Sequence, residues 1–255
     1  MHFSHDLAEA VAFAELIFLA LPSPELEDRV ADLSYVLQVS KEIAALATEY
    51  KIIVNKSTEP VGTTRQVQDL FDTTCAVSLD VVANPEFLKE GFAVQDFMKH
   101  QRVVIGSSSE HAIAQLQKLY APYMRIGNRY QIMDYVSAEL TKYASNAFLA
   151  TKISFMNEIV NYCELVGANV DQVRQGMGSD DRIGNRFLFP RIGYGGSCFP
   201  KDVKALKKLG HHLDQSFAIL TAVDRVNTEQ KKVFITKIEP YFKGALQGKK
   251  FALCF

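Results

Sequence analysis

The first apolar run, Leu16-Ile-Phe-Leu-Ala-Leu21, follows a segment from Asp6 to Glu15 that reads as a helix, and is stopped by Pro22-Ser-Pro24. It is far shorter than the ~20 residues a bilayer span needs and reads as a buried strand. A helical period over Leu33 to Thr48 leads into the strand pattern Lys51-Ile-Ile-Val-Asn55, which completes a βαβ rhythm. Leu79-Asp-Val-Val-Ala83 and Arg102-Val-Val-Ile-Gly106 have the continuous apolar character of strands covered on both faces. The first half is therefore expected to form part of a parallel sheet clothed in helices, with ligands beyond the carboxyl ends of its strands.

From Val136 to Val166 the chain has neither proline nor glycine and predicts one long helix ending at Gly167. Its apolar residues, among them Leu140, Ala144, Phe148, Ile153, Phe155, Ile159 and Val160, surround much of the circumference. Such a helix needs covering by more than its own sheet, and a dimer interface would supply that. Further helices are expected over Val170 to Gly176, Lys201 to Leu209 and Gln215 to Phe242, and Lys249 to Phe255 reads as the first strand of another sheet. The expected fold class is α/β: a partial, doubly wound, Rossmann-like parallel sheet over residues 1–135, then a long central helix and an all-helical middle domain over 136–243, with 244–255 opening a further domain.

Composition narrows the picture. The 255 residues are 48% hydrophobic and 22% charged, as in an ordinary globular chain. The 28 basic and 29 acidic residues are interspersed and leave a net charge of -1, so no long-range field favours nucleic acid or a membrane surface. Cys75, Cys163, Cys198 and Cys254 lie far apart without metal-ligand spacing or a secretory signal, which predicts a reducing cytoplasm, no disulfide and no metal site.

Three segments place candidate functional groups four residues apart, the spacing of one helical face: Glu86 with Glu90, Lys142 with Asn146, and Cys198 with Asp202. Each pair alone is equally a solvated helix face. Context alters that for Glu86, which follows a buried strand; a second carboxylate nearby would raise its pKa and suit it to general acid/base work. Lys142 and Asn146 interrupt a largely apolar helix, and a buried ammonium is paired or functional. Cys198 lies in Ile192-Gly-Tyr-Gly-Gly-Ser-Cys-Phe-Pro-Lys-Asp202, where glycines admit a ligand and Pro200 suits a first helical turn. The positive end of that helix, aided by Lys201, would favour a thiolate nucleophile; the alternative is an inert buried cysteine, the reading given to the other three. Ser57 and Thr58 emerge after the strand Lys51 to Asn55 and are either turn caps or cofactor contacts.

Taken together, Lys56-Ser-Thr58 with Pro60-Val-Gly62, Ala83-Asn-Pro-Glu-Phe-Leu-Lys-Glu-Gly91, Arg102-Val-Val-Ile-Gly106, Glu139-Leu-Thr-Lys-Tyr-Ala-Ser-Asn-Ala-Phe148, Asp181-Arg-Ile-Gly184 and Gly193-Tyr-Gly-Gly-Ser-Cys-Phe-Pro-Lys-Asp202 closely resemble the UDP-glucose 6-dehydrogenase family. The resemblance implies NAD-dependent oxidation of a sugar C6 alcohol to a carboxylate through a thiohemiacetal and a thioester on Cys198. It implies Glu86 as the base for thioester hydrolysis, Lys142 and Asn146 as groups that stabilise the oxyanion, and Thr58 and Asp202 as partners of the catalytic water. Ser57, Thr58, Glu90 and Lys201, with the hydroxyl retained at Ser23, are expected on the NAD side. Glu86, Phe87, Leu88, Lys142, Asn146, Arg182, Tyr194 and Gly195 are expected around the UDP-sugar. Arg182 has the fork for a diphosphate and, by the resemblance, reaches across a homodimer built on the 136–166 helix, though a loop arginine is ordinarily a surface ion pair.

The family pattern opens with a strand and a GxGxxG turn that grips the NAD pyrophosphate, and this sequence has neither. The expectation is a chain truncated at both ends, its sheet lacking the first βαβ strands and its UDP-binding domain represented by one strand. Leu21-Pro-Ser-Pro24 stands where the family has Val-Gly-Thr-Pro. Other readings are a GDP-mannose or related nucleotide-sugar 6-dehydrogenase, an inactive dimerising remnant, and a cysteine hydrolase using His211 or His212, which instead suit a charged helix end.

Overall fold

The computed structural model describes residues 2–22, 32–89, 91–124, 130–196 and 198–252. The chain divides into two compact units, Met1–Ala144 and Ser145–Phe255.

The first unit is built on a sheet whose strands, β1 (Leu16–Leu19), β2 (Lys51–Asn55), β3 (Leu79–Ala83), β4 (Val103–Gly106) and β5 (Tyr130–Met133), lie side by side in chain order. Strands β1, β2 and β3 are parallel, as the alternation of strand and helix patterns requires. Strand β4 runs antiparallel to β3, joined to it through the single pair Ala83 and Gly106, and β5 is parallel to β4. The expected partial, Rossmann-like parallel sheet is present, with one antiparallel join that the sequence did not predict. The cause is the connection between β3 and β4: its helix α4 (Ala93–Met98) has six residues, none of them buried. It does not lie across the sheet, so the chain returns in the opposite direction.

Both faces of the sheet are covered, which explains why β2 is buried at every position. Ile53 and Val81 pack with α1 (Leu7–Phe13), α2 (Ser34–Leu46) and α3 (Thr63–Thr74) on one side, through Val11, Val36, Ile43, Val67 and Phe71. Ile52, Val54, Val82 and Ile105 point the other way, toward Ala112 and Leu116 of α5 (Glu110–Tyr120). Asp6 accepts the N–H groups of Ala8 and Glu9 and starts α1, and Ser109 caps α5 in the same manner.

Helix α6 (Tyr135–Val166) is continuous over 32 residues and ends at Gly167, whose φ of 73° suits the left-handed turn that stops a helix. In the second unit it is followed by α7 (Val170–Gly178), α8 (Phe199–His211) and α9 (Ala218–Tyr241). Polar ties inside this unit include Ser154 Oγ donating to Val223 O at 3.1 Å and Arg191 N donating to Asn157 Oδ1 at 2.7 Å. Large apolar side chains of α6 that face outward here include Phe148, Phe155 and Tyr162, at 64%, 46% and 62% exposed. Residues 249–252 carry no strand, and the rest of that expected strand lies outside the described residues. Among the described residues no helix is long and apolar enough to cross a membrane.

Candidate active site

In the first unit, the chain leaves β3 at Ala83 and runs without helix through residues 84–89. The helical face that would pair Glu86 with Glu90 is therefore corrected; Pro85 and the extended run after it keep the segment open, and Glu90 lies outside the described residues. Glu86 is paired with Lys142 instead. Lys142 Nζ donates to Glu86 Oε1 at 2.8 Å and to the Glu86 carbonyl at 2.6 Å. Leu88 N donates to Glu86 Oε2 at 2.5 Å. Burial alone would raise the Glu86 pKa, but the bond and charge of Lys142, with Leu88 N–H and the charge of Lys56, outweigh it and leave the carboxyl below its ordinary value. The expected upward shift is thus reversed, because the near neighbours are cations and not a second carboxylate. Lys142 itself is buried. The Phe87 ring lies 5.4 Å from Lys142 Nζ and 4.2 Å from the Arg102 guanidinium, so two cations rest on one aromatic side chain.

Beneath this loop lies a network that the sequence did not reveal. Lys56 Nζ donates to Asn84 Oδ1 at 3.0 Å, Tyr120 Oη donates to the same oxygen at 2.6 Å, and Asn84 Nδ2 donates to Val104 O at 2.7 Å. Ser57 Oγ accepts from Leu21 N at 2.8 Å and donates to Leu21 O at 2.9 Å, tying the chain after β1 to the end of β2. Thr58 lines a recess with Asn55, Asn84, Glu139, Lys142 and Tyr143. Glu139, one turn before Lys142, accepts Gly62 N at 2.5 Å and Thr64 N at 2.7 Å and so closes the N-terminus of α3. Burial raises the pKa of Glu139 more than those N–H groups lower it.

In the second unit, Cys198 is exposed and occupies the N-cap position of α8, with Pro200 in the first turn. Phe199 fixes that turn by edge-on contacts with Phe187 and Tyr194, both with ring centroids 6.2 Å away. Asp202 is 1% exposed and accepts Asn146 Nδ2 at 2.6 Å, while Lys201 Nζ stands 4.0 Å from its other oxygen. The loop before Cys198 is held by a residue missed in the sequence: Asn227 of α9 accepts Tyr194 N at 2.7 Å and donates to Tyr194 O at 3.2 Å. A buried asparagine inside a helix was the available signal. Burial, with Asp224 adding to it, pushes the Tyr194 hydroxyl up to about 12. Gly195 is exposed in this loop. Arg182 is also exposed and is bound to Asp180 at 2.6 Å, the ordinary surface ion pair.

Ser23 and Cys254 lie outside the described residues. Cys75 Sγ donates to Ala44 O at 3.5 Å, and Cys163 is buried. Among the described residues no group of three or more His, Cys, Asp or Glu could hold a metal ion.

Comparison with known proteins places this arrangement. The NAD binding domain of the UDP-glucose/GDP-mannose dehydrogenase family matches residues 1–124, and the central domain of the same family matches residues 136–229. The chain belongs to that family. It is 46% identical over 98% of its length to a UDP-glucose 6-dehydrogenase of Pseudomonas aeruginosa, of which it covers 56%. It is 42% identical over 98% of its length to the UDP-glucose 6-dehydrogenase TuaD of Bacillus subtilis, of which it covers 54%. A solved UDP-glucose dehydrogenase from the archaeon Pyrobaculum islandicum superposes with a TM-score of 0.87 at 36% identity, over 94% of this chain and 56% of that one. The chain thus spans just over half the length of the relatives it matches.

The cofactor of the matched domain is NAD. The residues present fit part of it. The carboxyl ends of the parallel strands β1, β2 and β3 lie on one edge, where such sheets take ligands and where Thr58 lines the recess, while the Ser57 hydroxyl is engaged with the Leu21 backbone. The N-terminus of α3 does not offer a pyrophosphate seat, because the Glu139 carboxylate already takes its N–H groups.

Proposed function

We propose that this chain carries catalytic groups of an NAD-dependent UDP-glucose 6-dehydrogenase, which oxidises the sugar C6 alcohol by four electrons to UDP-glucuronate. The observation that carries the reading is the division of labour along α6. Lys142 meets the Glu86 carboxylate, and one turn further Asn146 meets Asp202 on the helix that Cys198 begins. The names of the relatives support the substrate.

NAD, when bound, supplies the electron-pair acceptor for both oxidations. The Cys198 sulfur adds to the C6 aldehyde carbon, and the carbonyl oxygen becomes an oxyanion that the Lys142 ammonium and the Asn146 amide stabilise. Removal of the second electron pair leaves a thioester. Glu86, held ionised, takes a proton from water as its oxygen attacks the thioester carbon; the C–S bond breaks, the acid leaves and the thiolate is restored. Thr58 and Asp202 orient that water. Ser57, Thr58, Glu90 and Lys201 serve the cofactor side, and Phe87, Leu88, Arg182, Tyr194 and Gly195 the nucleotide sugar. The outward Phe148, Phe155 and Tyr162 of α6 suit a second copy of the chain, which makes a cytoplasmic homodimer the assembly proposed here.

The test is mass spectrometry of Cys198 in the chain, with any flanking sequence its gene encodes, after mixing with NAD and either UDP-glucose or GDP-mannose. A uronyl adduct formed from UDP-glucose and absent in Cys198→Ser is expected. Equal glucuronate release by Cys198→Ser would overturn the covalent route, and an adduct from GDP-mannose alone would overturn the substrate.

A further inference from the structure

Lys142 has two competing duties in that reaction. Its ammonium lies 2.8 Å from Glu86 Oε1, yet it must turn to the substrate oxygen as negative charge develops there. A half-buried carboxylate that loses its bonded cation is driven by desolvation toward the protonated form. Glu86 is required as a base in the hydrolysis that follows the second oxidation, where a tetrahedral oxyanion again draws on Lys142. A second positive charge has to stay beside it.

Lys56 is placed to be that charge. It leaves the carboxyl end of β2, and its Nζ donates to Asn84 Oδ1 at 3.0 Å, two residues before Glu86 on the same loop. The Tyr120 hydroxyl donates to the same oxygen, and the Tyr120 ring lies 5.8 Å from Nζ. Asn84 is tied in turn to Val104 O of β4. The ammonium is thus fixed by a neutral amide and an aromatic face, so the contacts that hold it in place leave its charge unneutralised. The charged and titratable groups acting with it are Glu86 from the loop, Lys142 from α6, His100 from the segment after α4, and Tyr120 from α5. Burial brings Lys56 down to about 8, with the Glu86 charge opposing the shift and the Lys142 charge adding to it.

We propose that Lys56 is a positioning residue for the hydrolysis step: held by Asn84 at the base of the Glu86 loop, it keeps Glu86 ionised while Lys142 is engaged with the substrate. This rests on the reading of Glu86 as a base, but its electrostatic content stands or falls separately. The experiment is a ¹³C NMR titration of the Glu86 side-chain carboxyl in the 255-residue chain. Lys142→Met provides the background that mimics a lysine drawn away. Adding Lys56→Gln should raise the Glu86 midpoint by about one further pH unit, the scale of losing one close opposite charge. Adding Lys56→Arg should leave it in place. Lys56→Met is the second uncharged variant, read if the glutamine chain does not fold. An unmoved midpoint in the uncharged variants overturns the proposal, as does a chain that folds only with arginine or lysine, since Lys56 would then be structural. A shift that follows Arg102→Gln in place of Lys56→Gln also overturns it. Failure of the dehydrogenase reading would appear as an absent Cys198 adduct and would leave the titration unchanged.

Discussion

Glu139 accepts the backbone N–H groups of Gly62 and Thr64, at 2.5 and 2.7 Å, and so closes the first turn of α3 from a helix far along the chain. Replacing it with alanine leaves two largely buried donors without their partner, at a cost of roughly 1–3 kcal/mol for each. Urea unfolding of Glu139→Ala should show a lower midpoint with an unchanged slope. Glu139→Gln, which keeps one acceptor oxygen, should fall between the two. A wild-type midpoint for the alanine variant would show that water satisfies both groups.

Glu86 and Glu139 should give opposite pH signatures. The Glu86 pKa is lowered in the folded chain, so its stabilisation is present above the unfolded value of ~4.3 and is lost as pH falls through the folded value. The Glu139 pKa is raised, so its contribution is fully present below ~4.3 and is lost as pH climbs through its folded value. Chemical denaturation between pH 3 and 7 should therefore show Glu86→Gln losing less stability on acidification than the unaltered chain. Solvent screening of a partly exposed carboxylate limits the difference to about 0.5–1 kcal/mol. Glu139→Gln should lose more on acidification.

Asn146→Ala removes the donor that Asp202 uses inside the second unit. Leaving a buried acceptor without its donor costs about 1–3 kcal/mol. Thermal unfolding should register that loss, and the alkylation rate of Cys198 by iodoacetamide should change with it, because Asp202 N closes the first turn on the Cys198 carbonyl at 2.9 Å. An unaltered alkylation rate would separate the Asn146 bond from the cysteine's setting.

Gly193 cannot be replaced cheaply. Its φ is 122°, and an added Cβ would stand 2.7 Å from Asn227 Oδ1, the atom that holds Tyr194 N. Gly193→Ala should cost about 1–2 kcal/mol for the backbone alone. Asn227→Ala, which removes the obstacle and both loop bonds, should loosen the loop without that strain. Hydrogen exchange at the Tyr194 amide reads both.

Strands β2 and β3 were legible to the residue, because continuous β-branched runs flanked by polar residues leave little choice. The long helix was legible within one residue at its start, for want of any breaker. Helix α3 went unread since its sequence, Thr63-Thr-Arg-Gln-Val-Gln-Asp-Leu-Phe-Asp-Thr-Thr74, is mostly polar and gains its stability from Val67 and Phe71 against the sheet. Helix α5 and the short strand β5 also went unread. The positions of Glu86 and Lys142 were marked in the sequence, but not their partnership. Fifty-six residues separate them, and a reading by local spacing looked to Glu90, which reversed the direction of the pKa shift. Lys56 and Asn84 fall inside the quoted motifs and Asn227 interrupts a helix, but what these residues and Tyr120 do is set by contacts made across the fold.

The sheet has a seam. Strands β3 and β4 meet at one residue pair, Ala83 with Gly106, and the side chain of Asn84 bridges to Val104 just beyond it. With so short a ladder, that amide joins the two halves of the sheet together with Ser107 Oγ, which donates to Val81 O at 3.4 Å, the Ser109–Asp80 bond, and the apolar cluster shared by Val82 and Ile105. The same amide holds Lys56. One side chain thus serves both as a clamp across the join and as the seat of the ammonium, so a substitution at Asn84 disturbs the two together.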